Sequence, residues 1–176
     1  QPGDKVECTA LNTNSSSLTV VKQIVGGRAT AGDQFTVWSK KPNTEVLGEA
    51  TTSGTATSAT TGKQITEAGA AYTVGETAVG ATDLSQYTKT ITCVDATGRT
   101  TGLPVNQAYT GAVTLPAAVV SGDVTCTITN TAIPASLTIK KDPGTATSVG
   151  NGTYDVTYTI TVTNSGGATG TYDLTD

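Results

Sequence analysis

Short runs in which apolar and polar residues alternate, separated by turn-rich stretches, dominate this chain. Alternation with a period of two is the mark of a half-buried strand, and many such runs in succession predict a β-sandwich or barrel. Leu18–Lys22, Gln34–Trp38, Ala71–Glu76, Tyr87–Val94, Gly111–Leu115 and Val124–Thr129 are the clearest strands. Thr44–Leu47, Thr51–Thr60 and Lys63–Thr66 are expected as edge strands whose threonine, serine and glycine content leaves the register open. Further on, Leu137–Lys141, Tyr154–Thr163 and Tyr172–Asp176 are expected as strands. The run from Tyr154 puts Tyr154, Val156, Tyr158, Ile160 and Val162 on one face. No window carries a convincing helical period, so the fold class is all-β.

The pattern also repeats. Val6-Glu7-Cys8-Thr9-Ala10-Leu11-Asn12-Thr13 returns 118 residues later as Val124-Thr125-Cys126-Thr127-Ile128-Thr129-Asn130-Thr131. Each copy is followed by a spacer and a similar strand, Leu18–Lys22 in one case and Leu137–Lys141 in the other. A repeat of this length is a domain in size. Residues 1–16 are therefore expected to be the last strand of a preceding module, 17–133 a complete module, and 134–176 the first strands of a following one. Such an arrangement points toward a fibre or stalk.

Composition narrows the function classes. Valine and threonine, both β-branched, are abundant and suit pleated surfaces. With 10 Lys and Arg against 14 Asp and Glu the net charge is −4, which offers no basic stripe for nucleic acid. Apolar runs are too short for a membrane-spanning helix. Histidine is absent, which removes the commonest general base and metal ligand, and three scattered cysteines give no metal-ligand spacing. No cofactor or metal is expected.

Face-sharing then isolates three polar residues. Lys22 continues the face of Leu18 and Val20, Glu76 that of Tyr72 and Val74, and Asn130 that of Val124, Cys126 and Ile128. A single buried charge is costly, so three such groups on core strands are expected to satisfy one another. The alternative places Lys22 and Asn130 at strand ends, with the lysine reaching out to water and Glu76 solvated.

The runs LTVVK, YTVGET and CTITNT, in that order, resemble the first strand, glutamate box and last strand of CnaB-type domains. These are prealbumin-like (SpaA-type) modules of bacterial surface adhesins and pilins. The family box is often followed by a proline-glycine-tyrosine stretch, whereas Thr77-Ala78-Val79-Gly80-Ala81 keeps only the glycine. The resemblance implies a spontaneous isopeptide bond, with Lys22 as the amine, Asn130 as the carboxamide it attacks and Glu76 as the assisting acid. The residue types suit that chemistry. Burial lowers a lysine pKa and so supplies a neutral amine, and burial favours the protonated form of a carboxyl. Folding supplies the proximity.

Cys93 shares a face with Ile91, and Cys126 with Val124 and Ile128. Two inward cysteines in a secreted-looking β-domain are expected to form a disulfide; the other possibility is two small buried hydrophobes. Cys8, equivalent to Cys126 by the repeat, is left without a partner in this chain. The C-terminal segment, with Tyr158–Gly167, resembles the DUF11-type repeat of bacterial surface proteins, which makes Lys141 (or Lys140) and Asp176 tentative cross-linking residues of a second module. The bland reading of that segment is an incomplete Ig-like sheet.

These observations make a structural stalk module of an extracellular adhesin or pilus-like fibre the leading expectation, not an enzyme that turns over. Its partners would be neighbouring modules or subunits. The rivals are a filament subunit assembled by strand addition and a module that binds a host or surface ligand.

Overall fold

The fold is taken from a computed structural model, which describes residues 3, 16–67, 69–116 and 122–175. The expected strand of residues 6–13, with Cys8, falls outside the described residues, as does Asp176. Twelve strands are described: β1 (Ser16–Val25), β2 (Gln34–Lys40), β3 (Val46–Thr51), β4 (Ser58–Thr60), β5 (Gln64–Thr66), β6 (Tyr72–Val79), β7 (Tyr87–Asp95), β8 (Gln107–Ala108), β9 (Ala112–Leu115), β10 (Asp123–Ala132), β11 (Leu137–Gly150) and β12 (Thr153–Asn164). A 3-10 turn, Leu84–Gln86, is capped by Asp83 and leads into β7.

Two sheets face each other. One runs β4-β1-β10-β7-β8 with β5 also on β1, the other β3-β2-β6-β9, and β11 and β12 form a separate hairpin. The first and last strands of the sandwich are neighbours and run parallel, with Leu18 opposite Val124 and Lys22 opposite Ile128. Alternation along each strand delivers its apolar residues to the space between the sheets. Leu18, Val20, Val37, Val74, Ile91, Val124 and Ile128 meet there, all fully buried. A second cluster closes one end, where Phe35 meets Tyr87 edge to face at 5.1 Å beside Ile24 and Ala29. Its tyrosine hydroxyl accepts from Ala29 N–H at 2.8 Å and donates to Asp33 at 2.5 Å.

Several sequence expectations change here. β1 continues through Val25, so Lys22 lies inside a strand and not at its end. Thr51–Thr60 is broken: after β3, which pairs with β2, Thr52 turns inward to accept from Phe35 N–H. At Ser58 the chain has crossed to the other sheet, where β4 pairs with β1. β11 runs well past Lys141, to Gly150, carrying Pro143 and Gly144 with a register shift between Pro143 and Ala146. Residues 172–175 form no strand. The face of Tyr154, Val156, Tyr158 and Ile160 is formed as expected, but each is at least 41% exposed, because no second sheet covers it among the described residues.

Candidate cross-linking site

Three strands from two sheets bring Lys22, Glu76 and Asn130 together. β1 and β10 lie side by side, and their parallel register puts Lys22 opposite Ile128, one inward step from Asn130. β6 belongs to the facing sheet and sends Glu76 across the gap. Lys22 Nζ lies 3.1 Å from Glu76 Oε2, and Asn130 Nδ2 donates to the same oxygen at 3.1 Å. Lys22 and Asn130 have no exposed surface and Glu76 is 5% exposed, which rules out the lysine reaching water. The ammonium or amine also donates to Ile128 O at 3.2 Å and sits 5.0 Å from the centre of the Phe35 ring.

Burial is the main electrostatic effect. Desolvation lowers Lys22 from 10.5 to about 8, against the charge and hydrogen bond of Glu76, which pull it upward; Lys89 adds a small push down. An amine held near 8 has a substantial neutral fraction at ordinary pH, which is the form with a nucleophilic lone pair. Glu76 Oε1 and Asn130 Oδ1 are both buried without a hydrogen-bond partner. Two orphan acceptors in one pocket cost about 1–3 kcal/mol each. Rotation of the Asn130 carboxamide about its last torsion would exchange its carbonyl oxygen and its amide nitrogen at Glu76 Oε2.

Tyr109, which the sequence did not single out, also belongs to this site. Its hydroxyl accepts from Glu76 N–H at 2.7 Å and donates to Gly111 O. Its own N–H donates to Lys89 O in the other sheet at 2.9 Å. It sits in a loop without alternation, so only its aromatic character could have flagged it.

Cys93 and Cys126 face each other directly across β7 and β10 and form a disulfide, with Sγ–Sγ 2.00 Å and Cα–Cα 4.0 Å. It lies one inward position down β10 from Ile128 and two from Asn130, in the main core. Lys140 pairs with Asp142 at 2.9 Å and Lys141 lies 4.3 Å from the Tyr158 ring, so both tentative lysines sit on the hairpin. Asp176, their suggested counterpart, is outside the described residues.

The module is thus a β-sandwich whose first and last strands pair in parallel, with a buried lysine, glutamate and asparagine between its sheets. Residues 17–132 match the family model of a SpaA-type prealbumin-like fold domain, and the chain belongs to that family. Domains of this kind are typical of pilin and adhesin stalks on the cell surface. No curated protein and no solved structure matches the chain. No helix among the described residues is long and apolar enough to cross a membrane.

Proposed function

We propose that this module is a load-bearing stalk element of an extracellular surface fibre, closed by an amide bond between Lys22 and Asn130. The observation that carries the proposal is the sharing of one Glu76 oxygen by the Lys22 amine and the Asn130 carboxamide, both at 3.1 Å, away from water. From the neutral pair, the Lys22 lone pair attacks Asn130 Cγ while the Glu76 proton passes to the carboxamide oxygen. Glu76 then takes a proton from the attached Nζ and passes it to Nδ2, which leaves as ammonia, while the hydroxyl of the intermediate returns its proton to Glu76 as the carbonyl re-forms. One Nζ–Cγ bond forms, one Cγ–Nδ2 bond breaks, nothing is oxidised or reduced, and Glu76 is regenerated. Because Lys22 and Asn130 are consumed, the reaction occurs once per chain and the protein is not an enzyme in the turnover sense. Neighbouring modules or subunits are the natural partners of such an element.

The test is a digest of the folded, purified chain searched for a branched peptide joining the Lys22 and Asn130 segments. The branch is a better readout than intact mass, because Gln1 would also lose ammonia by cyclising if it heads the chain. The branched peptide is expected in the wild type and absent in Glu76→Ala, which should still fold. Its absence from the wild type would refute the proposal.

The filament reading keeps one specific support. The β11–β12 hairpin has an unpaired edge on each strand and an uncovered apolar face among the described residues, which suits strand addition by a second copy. Light scattering that rises with concentration would favour it; a monomer at all concentrations would exclude it.

A further inference from the structure

The ladder between β6 and β9 stops at the catalytic position. Tyr72 pairs with Leu115, Thr73 with Thr114, Val74 with Val113 and Gly75 with Ala112, and there the pairing ends. The next pair would be Glu76 with Gly111, but Gly111 has φ +156 and β9 does not extend to it. Glu76 would therefore carry an unpaired N–H into a buried place, at a cost of about 1–3 kcal/mol. Instead the Tyr109 hydroxyl stands between the two strands, accepting from Glu76 N–H at 2.7 Å and donating to Gly111 O.

We propose that Tyr109 is a positioning residue for the cross-linking reaction: its hydroxyl replaces the missing strand partner of Glu76 and fixes the carboxyl between Lys22 and Asn130. The inference rests on the cross-linking function proposed above. Tyr109 is suited to the task because it is held at both ends. Its N–H is tied to Lys89 O on β7, its ring is 3% exposed in the main core, and its hydroxyl reaches β6 of the facing sheet. It thus sets the spacing of the sheets at the depth where the carboxyl must meet two groups from the other side. Without the hydroxyl, the backbone at Glu76 has to find another acceptor, and a carboxyl displaced by about 1 Å loses productive geometry.

The molecule contains its own matched control. Tyr72, at the other end of β6, is 2% exposed and accepts from a backbone N–H, that of Glu67, at 2.8 Å. Tyr109→Phe and Tyr72→Phe remove the same kind of bond, one beside Glu76 and one distant from it. The full chain would be made in a short cell-free pulse, chased in buffers from acid to alkaline pH, and quenched at intervals for the branched-peptide assay. Tyr109→Phe is expected to slow branching at least about tenfold, the equivalent of one lost hydrogen bond. Tyr72→Phe is expected to branch at close to the wild-type rate. Glu76 holds the Lys22 pKa up, so its displacement should also move the alkaline fall of the rate to lower pH in Tyr109→Phe alone. Equal rates and equal pH profiles in the two variants would reduce Tyr109 to a packing residue and overturn the inference. A wild type that never branches would remove the underlying function along with it.

Discussion

Replacing Glu76 by glutamine keeps the volume of the side chain and deletes the proton it exchanges. The branched peptide should disappear, and stability should fall for two separable reasons. The proposed Lys22–Asn130 bond would close a loop of about 108 residues, which on the chain-entropy account would stabilise the module by about 4–5 kcal/mol. The unreacted lysine then remains as an amine in a dry site. Desolvation has already brought it from 10.5 to about 8 with Glu76 in place, a drop equivalent to about 3 kcal/mol, and the drop deepens when the carboxylate is gone. Near neutral pH the total is about 7–8 kcal/mol, a large part of the stability of a domain this size. The second contribution depends on pH. A lysine whose folded pKa lies below its unfolded value binds a proton more readily in the unfolded chain, so stability rises with pH between the two values, here from about 8 or below to about 10.5. Lys22→Met separates the two contributions, since it loses the bond but has no amine to desolvate. Guanidinium unfolding with the disulfide intact, repeated from pH 7 to 10, is the assay. Glu76→Gln should start about 3 kcal/mol below Lys22→Met and converge on it as pH rises, while wild type stays about 4–5 kcal/mol above Lys22→Met. Three superimposable unfolding curves would refute the reasoning at its root, and two variants equally stable at every pH would refute the account of the lysine.

Three further outcomes are expected. The rate of cross-linking should fall as pH rises through about 8, because the Lys22–Glu76 pair then loses its last proton and the carboxylate has none to donate; a rate that climbs to a plateau would mean that only a neutral amine is needed. Thiol labelling of the unreduced, folded chain should leave Cys93 and Cys126 unmodified, and Cys93→Ser with Cys126→Ser should cost about 4 kcal/mol for a loop of 33 residues, read by guanidinium unfolding. Gly75→Ala should displace the Trp38 indole, whose ring would lie 2.3 Å from the new Cβ, with a shift in tryptophan fluorescence and a loss of about 1–3 kcal/mol; an unchanged emission spectrum would contradict that packing.

The strands of the sandwich core were legible because each carries its own alternation, and the polar residue that continues each of three apolar faces marked the site directly. What the sequence could not supply was the relation between segments. Nothing in Leu18–Lys22 or Val124–Thr129 says that these strands pair in parallel, yet that register is what puts Asn130 next to Lys22. Tyr109 was missed because its role arises from where β9 stops, a tertiary event with no local pattern. The boundary of β11 was missed because Pro143 and Gly144 signal a break, while pairing with β12 carries the strand through them with a shift in register. The expected strand at Tyr172 is absent because alternation alone does not make a strand without a neighbour to complete its hydrogen bonds.

The parallel pairing of β1 and β10 also fixes where the chain enters and leaves the module. Had these neighbours been antiparallel, the polypeptide would depart from the same pole at which it arrived, and successive units would double back. Parallel neighbours carry it in at one pole and out at the other. Each strand has 10 residues, so every pass advances the chain by about 33 Å along the strand axis. Were such units joined end to end, their lengths would add with a constant polarity, and the span would follow from their number alone.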